Sequence, residues 1–445
     1  MRRTTSRILR GIALVSALAL GVTACGGSDD GSEQKPVSAG DVQAALDKGG
    51  DITVWAWEPT LKTVAADFQK KYPKVKVNLV GERSGDKHYT ALSNAISAGK
   101  GVPDVAQVEY FALGQYSLTK GLTDLAPYGA GKLAPKYTAG PWNAVSDGDK
   151  VYGLPMDSGP MALFFNKEVF DKYKIAVPTT WDEYVEAARK LHEADPKAYI
   201  ASDTGDGGFT TSMLWQAGSR PYKLDGTKVG IDFDDAGAKK FEAVWQKLLD
   251  EKLLAPVTGW TDDWYKGLAD GTIATLASGA WMPANFVSGV PNAKGKWRAA
   301  ALPAWTKGDK ASAENGGSSL AVPALGKNKE LAYAFAKYAN ADDGVATRIA
   351  QGAFPATKAE LESASFQNKK FDYFGGQQAN RIFAESAANV SSDWTYLPFQ
   401  PYANSIFNDT VGKAYVSDTT LADGLKAWQD ASVKYGEEQG FTVEK

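Results

Sequence analysis

The chain is poor in the side chains on which most catalytic and metal sites are built. Its 445 residues include a single cysteine, Cys25, and two histidines, His88 and His192. One cysteine excludes an intrachain disulfide and a cysteine metal cluster. The histidines belong to no HExxH motif, and the chain has no GxSxG nucleophile elbow and no glycine-rich phosphate or dinucleotide fingerprint. Common enzyme classes therefore have little support in this sequence.

An apolar run near the N-terminus is too short to span a membrane. Four arginines within the first ten residues precede Ile12–Leu20, and the small residues Val22-Thr23-Ala24 stand before Cys25. A basic start, a short apolar core and small residues are typical of a secretory signal, whereas a spanning helix needs ~20 apolar residues. The small residues before Cys25 resemble a bacterial lipobox. This resemblance implies a signal peptide over 1–24 and a lipid on Cys25.

Positive charge is not in excess either. The formal net charge is −3, and removal of residues 1–24 takes away four arginines and no acidic residue, which lowers it to −7. A mildly acidic chain argues against a nucleic-acid partner. The segment that follows Cys25 is polar and rich in glycine and serine, so we expect a flexible tether over 25–50.

Aromatic residues, in contrast, are abundant. The chain contains 13 tryptophans, 19 tyrosines and 18 phenylalanines. Most large aromatics pack in cores, but this many also suits a cleft that stacks the flat apolar faces of a ligand.

The first part of the chain alternates between two periodicities. Apolar residues recur with strand or helix spacing, which predicts strand, helix, strand, helix, strand and helix. The predicted segments are 51–57, 60–72, 75–80, 88–98, 102–108 and 111–120. This alternation favours a parallel α/β sheet, in which ligands bind beyond the carboxyl ends of the strands. Trp57, Glu58, Glu109 and Tyr110 stand at those ends and are candidate ligand-binding residues, although a Trp packed on a helix and a solvated carboxylate are the alternatives.

A turn followed by a buried strand occupies Tyr152–Phe170, YGLPMDSGPMALFFNKEVF. The Gly- and Pro-rich turn carries Asp157, and Met161–Phe165 is apolar. This stretch resembles the first interdomain crossover of sugar-binding proteins of ABC importers, the extracellular solute-binding family that includes maltose-binding protein. In that family the segment is both hinge and cleft wall, so the resemblance implies that Asp157 faces the ligand. A partner arginine or a hinge cap is the alternative for this carboxylate.

The resemblance covers essentially the whole mature chain and implies the fold. That fold is α/β and of the type II periplasmic-binding-protein kind, with two lobes, a multi-crossover hinge and a ligand cleft between the lobes. The implied N-terminal lobe comprises 51–160 and 316–358, and the C-terminal lobe comprises 161–315 and 359–445. Ser318–Val322, bounded by Gly317 and Pro323, resembles the second crossover.

Further candidate ligand residues lie after the first crossover. Trp281, in the sequence GAWM, occupies a turn where family members commonly present a stacking aromatic. Asn315 and Gly317 belong to an Asn-Gly-Gly turn whose backbone can approach a ligand or absorb rotation. The remaining candidates are tryptophans for which core packing is nearly as good an interpretation. They are Trp215 and Trp264 on helices, and Trp394, which precedes Tyr396 in an aromatic loop.

The resemblance implies a lipid-anchored protein on the outer face of the cytoplasmic membrane. It would capture a carbohydrate, in particular an oligosaccharide, and pass it to the permease subunits of an ABC transporter. No cofactor or metal is expected, the membrane is contacted through the lipid alone, and the protein is expected to be a monomer. Two alternatives stay open: a binder of another solute such as a polyamine, and a secreted glycoside hydrolase, since Glu58, Glu109 and Asp157 could serve as paired carboxylates.

Overall fold

A computed structural model describes residues 36–81, 85–202 and 206–444 of the chain. The predicted signal peptide, 1–24, and the predicted lipidation site, Cys25, lie outside these residues. In the described part of the chain, no helix combines the length and the hydropathy that crossing a bilayer requires.

The first described helix begins earlier than the sequence predicts. Helix α1 (Ala39–Lys48) starts at Ser38, whose hydroxyl accepts from the Asp41 amide at 3.1 Å while the Asp41 carboxylate accepts from the Ser38 amide at 2.8 Å. This reciprocal cap satisfies two amides that a helix start otherwise leaves unpaired. Leu46 is buried in the first core described below. The prediction of a flexible tether over 25–50 is therefore wrong for this helix. That prediction came from the glycine- and serine-rich composition of the residues before it, and such a composition gives no sign of the Ser38 cap or of the buried Leu46.

The remaining elements are numbered in chain order. The strands are β1 (Gly50–Trp55), β2 (Val75–Val80), β3 (Val105–Glu109), β4 (Ser146–Asp147), β5 (Lys150–Val151), β6 (Leu154–Pro155), β7 (Met161–Asn166), β8 (Tyr222–Asp225), β9 (Lys228–Ile231), β10 (Thr275–Gly279), β11 (Trp297–Ala301), β12 (Ser318–Ala321) and β13 (Thr442–Glu444). The α-helices after α1 are α2 (Leu61–Lys71), α3 (Gly85–Ala98), α4 (Tyr110–Leu118), α5 (Ala139–Val145), α6 (Lys167–Lys172), α7 (Trp181–Ala194), α8 (Gly207–Gln216), α9 (Ala236–Asp250), α10 (Asp262–Asp270), α11 (Met282–Gly289), α12 (Lys329–Ala341), α13 (Gly344–Ala350), α14 (Lys358–Glu362), α15 (Ala364–Gln367), α16 (Ala379–Ala388), α17 (Gln400–Ser405) and α18 (Leu421–Glu438).

The first sheet has the order β2-β1-β3-β12-β6. Strand β1 pairs in parallel with β2 and β3, whereas β12 pairs antiparallel with β3 and β6. The predicted α/β alternation is confirmed for the three parallel strands and for the helices α2, α3 and α4 that connect or follow them. Strand β12 is distant in sequence from β6, so the chain forms the second sheet before it returns to the first.

Burial explains why these residues form these elements. Ile52 and Val54 alternate on one face of β1 and are fully buried, and α2 presents Leu61, Val64 and Phe68 to the same core. Full burial of one such side chain is worth roughly 1.5–3 kcal/mol. The Phe68 ring meets the ring of Phe335 on α12 edge to face, at 5.4 Å between centroids. The first core therefore joins the start of the chain to its later part.

The second sheet has the order β10-β7-β11, with β7 antiparallel to both neighbours. All six residues of β7 are buried, which confirms the predicted apolar strand at the centre of the sheet. Because side chains alternate along a strand, Leu163 and Phe165 enter one core while Ala162 and Phe164 enter another. The sheet therefore separates two cores.

Three chain crossings connect the two sheets and lie side by side. The first passes from β6 to β7, the second from β11 to β12, and the third follows α13. Pro160 bridges to Glu314 and Asp157 bridges to Pro355, so the second and third crossings each pair with the first. The Asn315 amide donates to the Gly159 carbonyl at 2.7 Å. The lobe limits at 160, 315 and 358 stay predictions.

Candidate ligand-binding cleft

A cleft of about 1020 Å³ opens where the ends of β1 and β3, the crossings and the turn after β10 meet. Ligand clefts commonly have volumes of ~300–1,000 Å³, so this one is at the large end. Eight of the predicted candidate residues line it, and they come from both sides of the crossings. These residues are Trp57, Glu58, Glu109, Asp157, Trp264, Trp281, Asn315 and Gly317.

A buried glutamine fixes the end of β1. The Gln107 side-chain oxygen accepts from the amides of Trp57 and Glu58, at 3.0 and 3.1 Å, and its nitrogen donates to the Ser318 hydroxyl at 3.1 Å. Gln107 therefore joins the residues that follow β1 to the start of β12, and it lines the cleft itself. Its role was not predicted, although a polar residue between the apolar Ala106 and Val108 of a strand was a usable signal.

Glu58 and Asp157 share a buried cation. Arg348 is nearly fully buried on α13, its Nε lies 3.9 Å from a Glu58 carboxylate oxygen, and its Nη1 donates to the Met156 carbonyl at 2.5 Å. Asp157 accepts from the Ser318 amide at 2.6 Å. Burial raises the pKa of Asp157 to about 6, and the charge of Arg348 opposes this rise. An arginine partner was one alternative predicted for Asp157, but the sequence did not identify it as Arg348, because one arginine in a short helix carries no pattern.

Glu109 lies at the end of β3 and accepts from the Tyr89 hydroxyl at 2.9 Å. The neighbouring candidate, Tyr110, does not line the cleft. It is the first residue of α4 and is buried, its hydroxyl donates to the Asp157 carbonyl at 2.6 Å, and its ring packs where a side chain at Gly317 would clash. Tyr110 therefore braces the first and second crossings. Its placement as a cleft residue is wrong because the helix starts one residue earlier than predicted.

Trp281 is fixed to the second crossing. Its indole N–H donates to the Asn315 carbonyl at 2.6 Å. Gly279 and Gly316 allow this approach, since a Cβ at either position would lie 2.3 or 3.1 Å from the indole nitrogen. Gly316 and Gly317 also have φ of +80° and +99°, which favour glycine. The Trp281 face is thus presented to the cleft in one orientation.

Two further tryptophans extend this aromatic wall. Trp264 is 2% exposed and reaches the cleft only at its edge, whereas Trp260, which the sequence analysis missed, is 47% exposed. The ring of Trp260 lies 4.9 Å from that of Trp264 and 5.8 Å from that of Trp281. Thr261 caps α10 directly after Trp260. Trp260 directly precedes this cap and packs on Trp264 in the first turn of the helix, so its sequence position alone did not mark it as a cleft residue.

Trp215 and Trp394 lie off the cleft. Their rings stack at 5.0 Å with an angle of 10°, and the Trp215 indole N–H donates to the Ser391 carbonyl at 3.0 Å. Arg220, which pairs with Asp393 at 2.5 Å, holds the same loop. The prediction that these tryptophans face the cleft is corrected, because each buries its face on the other. Tyr396, two residues further on, does line the cleft.

A buried carboxyl group lies behind the cleft wall. Glu314 accepts from the Ser158 hydroxyl at 2.8 Å and from the Gly159 amide, so it joins the second crossing to the first. Burial raises its pKa to about 7. The sequence offered no sign of this group, since one glutamate in a polar loop is normally solvated.

The charge of the cleft has one sign in the described residues. The described lining includes the carboxylates of Glu58, Glu109, Asp157 and Asp206 and no lysine, arginine or histidine. Within the same part of the chain, no group of His, Cys, Asp and Glu side chains is placed to hold a metal ion. The charged groups of the described lining are thus all hydrogen-bond acceptors and lie among aromatic rings, and this chemistry suits an uncharged, hydroxyl-bearing ligand better than an anion.

Comparison with known proteins gives consistent results. The sequence profile of the family described as bacterial extracellular solute-binding protein matches residues 55–346. The ABC transporter associated binding protein from B. animalis subsp. lactis Bl-04, solved in complex with beta-1,6-galactobiose, is 48% identical, with a TM-score of 0.83 over 89% of this chain and 99% of that chain.

Two further relatives are more distant. The galacto-N-biose-/lacto-N-biose I-binding protein of the ABC transporter from Bifidobacterium longum, in complex with lacto-N-biose, is 27% identical, with a TM-score of 0.76 over 89% of this chain and 99% of that chain. The arabinooligosaccharide-binding protein of Bacillus subtilis (strain 168) is 29% identical over 66% of this chain and 70% of its own length.

Proposed function

This chain belongs to the bacterial extracellular solute-binding protein family, and from that premise we propose that its cleft captures an oligosaccharide and delivers it to the permease of an ABC transporter. The observation that carries the proposal is the wall of the cleft. Trp57, which follows β1, and Trp281, which follows β10, both line it, together with the carboxylates of Glu58 and Asp157. This arrangement suits a sugar, which has apolar ring faces and polar edges.

The roles of the individual residues follow from their contacts. Trp57 and Trp281 stack on sugar rings, and Glu58, Glu109 and Asp157 accept hydrogen bonds from hydroxyl groups. Main-chain groups near Asn315 and Gly317 complete the polar contacts.

The mechanism follows from the two-lobed fold. Both lobes contribute to the cleft, so a sugar that contacts both stabilises the closed arrangement relative to the open one. The three paired crossings let the lobes rotate without separating. Closure then presents a surface to the permease that the unliganded protein presents less often, which links capture to delivery.

The ligands named for the relatives support the substrate class. Beta-1,6-galactobiose, lacto-N-biose and arabinooligosaccharides differ in sugar and linkage but are all short, uncharged saccharides. The absence of cationic side chains from the described lining agrees with such a ligand. We therefore place the substrate among neutral oligosaccharides.

Glycoside hydrolysis is the second candidate, because the cleft contains several carboxylates. Glu58, Glu109 and Asp157 each accept a hydrogen bond from the protein, from Thr60, Tyr89 and Ser318 respectively. Carboxylates so engaged suit ligand positioning. We propose that the protein binds without catalysis.

A thermal-shift screen of residues 36–445 with saccharides of one to four units, polyamines and amino acids tests the proposal. A ligand at a hundred times its dissociation constant stabilises by about 2.7 kcal/mol, which raises the melting temperature by a few degrees. We expect a shift with one saccharide series and recovery of the sugar uncleaved. A shift with polyamines alone, or cleavage of the sugar, would refute the proposal.

The anchor is a separate part of the proposal. We place the lipid on Cys25, the protein on the outer face of the cytoplasmic membrane, and the mature protein as a monomer. Cys25→Ala expressed from the full chain should no longer incorporate labelled palmitate, whereas the unmodified chain does. Equal incorporation by both would contradict the anchor.

A further inference from the structure

Arg348 is a buried cation next to an acidic cleft. Its side chain is 3% exposed and does not line the cleft, whereas the described lining contains four carboxylates and no cationic side chain. A buried arginine is normally satisfied by a carboxylate that accepts two parallel hydrogen bonds from it. Arg348 has no such partner among the described residues, so a complete ion pair does not explain its burial.

The guanidinium group is fixed through one nitrogen. Nη1 donates to the Met156 carbonyl at 2.5 Å and to the side-chain oxygen of Asn340 at 3.2 Å. Nε and Nη2 are buried and have no hydrogen-bond partner in the part of the chain that the structure describes. Nε lies 3.9 Å from a carboxylate oxygen of Glu58, which is close enough for charge attraction and too far for a hydrogen bond. The charge is thus held beside a cleft carboxylate without forming a hydrogen-bonded pair.

The protein contacts of Glu58 engage one of its two carboxylate oxygens. Oε2 accepts from the Thr60 hydroxyl, and the same oxygen is the one near Arg348. Within the described residues, Oε1 takes part in no hydrogen bond or ion pair, and the side chain lines the cleft. Thr60 and Arg348 therefore hold Oε2 in place and leave Oε1 for a ligand.

The same cation contacts the segment that carries Asp157. The Met156 carbonyl, which accepts from Arg348, belongs to the peptide group that joins Met156 to Asp157. Glu58 follows β1 and Asp157 lies on the first crossing, so Arg348 on α13 connects the two segments from which these carboxylates enter the cleft. A cation beside neighbouring carboxylates reduces their mutual repulsion and their attraction for other cations.

We propose that Arg348 makes the cleft specific for neutral sugars without touching the ligand. This inference rests on the proposed function. Arg348 is a positioning residue, because it holds Glu58 and the backbone of Asp157 where their carboxylates can accept from sugar hydroxyls. Its buried charge also offsets the acidic lining, which would otherwise attract amines such as polyamines. Arg348 therefore favours a hydroxyl-bearing ligand over a cationic one.

Arg348→Met is the informative variant, since it removes the charge and keeps much of the side-chain volume, whereas Arg348→Lys keeps the charge. Lys71→Met is the matched control, because Lys71 pairs with Asp343 at 2.7 Å beside the start of α13 and lies outside the cleft. Circular dichroism and the melting temperature establish that each variant is folded. If Arg348→Met does not fold, Arg348→Gln replaces it, because glutamine is neutral and can still donate a hydrogen bond.

The test is isothermal titration at neutral pH and low ionic strength with beta-1,6-galactobiose, lacto-N-biose, arabinobiose and maltose, and with spermidine. For the saccharide that binds, we expect Arg348→Met to weaken binding about tenfold and Arg348→Lys to weaken it less than about threefold. Spermidine should bind Arg348→Met at least about fivefold more tightly than it binds the unmodified protein. Lys71→Met should match the unmodified protein with every ligand.

A double-mutant cycle tests whether Arg348 acts through Glu58. If it does, Arg348→Met should weaken sugar binding less than about threefold when Glu58 is already replaced by glutamine, since the carboxylate that it positions is then absent. An arginine that only supports the fold would cost the same affinity in both backgrounds, and its loss would not strengthen the binding of spermidine.

The outcomes separate the two proposals. If the unmodified protein binds no saccharide, in this titration or in the thermal-shift screen, the proposed function fails and the role of Arg348 fails with it. If it binds a saccharide, each of four results refutes the role of Arg348 and leaves the proposed function standing. These results are unchanged sugar affinity in Arg348→Met, an equal loss in Arg348→Lys, an equal loss in the Glu58→Gln background, and unchanged affinity for spermidine.

Discussion

The two walls of the cleft are built by different means. On the first wall, Trp57 and Glu58 extend directly from β1, and the buried side chain of Gln107 fixes their amides. On the second wall, Trp260 and Trp281 lie in turns, and what fixes Trp281 is close backbone approach at Gly279 and Gly316. The first wall depends on a hydrogen bond in the core of a sheet. The second depends on the space beside the Trp281 indole that two glycines, which have no side chain, leave free.

The largest effect is expected when both walls lose their aromatic face. Trp57→Ala combined with Trp281→Ala should lower sugar affinity about a hundredfold or more, since buried aromatic anchors are each worth roughly 2 kcal/mol or more when truncated. Neither ring is in the fully buried core, so the fold should survive. Titration together with circular dichroism checks this. Retained affinity in a folded protein would contradict the assignment of both walls.

Filling the space on the second wall should disturb it without removing an aromatic ring. Gly279→Ala would place a Cβ 2.3 Å from the Trp281 indole nitrogen and 2.6 Å from the Asn315 carbonyl. We expect a stability loss of ~1–3 kcal/mol, typical of overpacking, and a clear loss of affinity. Gly131→Ala, where the new methyl group meets nothing within 4 Å, is the control. Chemical denaturation measures the stability of the two variants, and titration measures their sugar affinity. Unchanged affinity in Gly279→Ala would show that sugar binding does not depend on the position of the Trp281 indole.

Removing the hydrogen bonds of the first wall should have a comparable or smaller effect. Gln107→Leu leaves the amides of Trp57 and Glu58 and the Ser318 hydroxyl without this partner. A buried polar group left unpaired costs ~1–3 kcal/mol, and access to cleft water reduces this cost. We expect lower stability and weaker binding, with the melting temperature and titration as measurements. If Gln107→Leu lost no affinity, the first wall would not depend on its core glutamine.

The smallest effect on sugar binding is expected for the buried carboxyl group behind the cleft wall. Burial raises the pKa of Glu314 from 4.5 to about 7, so the folded protein keeps a proton that the unfolded chain releases. Stability from this group is therefore complete below about pH 4.5 and is lost as the pH rises to about 7. Glu314→Gln should flatten this part of the dependence of the urea midpoint on pH. If the urea midpoint of Glu314→Gln depended on pH in the same way as that of the unmodified protein, other groups, such as Asp157, would cause the dependence.

The first wall was predictable, and the second was only partly so. The carboxyl ends of parallel strands follow from periodicity, which is why Trp57, Glu58 and Glu109 were placed correctly at the cleft. The position of Trp260 depends on how the loop before α10 packs against Trp264 and Trp281, and no local pattern encodes that packing. Trp215 and Trp394 were wrongly predicted to face the cleft. Their rings stack on each other although they lie far apart in the chain, and the sequence cannot distinguish such a pair from a ligand-binding surface.

The crossings carry a consequence for how the molecule forms. Strand β12 sits between β3 and β6, so the first sheet has a gap until residues 318–321 are available. A chain made from its N-terminus cannot complete this sheet until most of its length has been synthesised. Such long-range pairing closes large loops and slows folding. The first half of the chain should consequently remain an incomplete intermediate with an open sheet edge, dependent for its native form on residues more than 150 positions away.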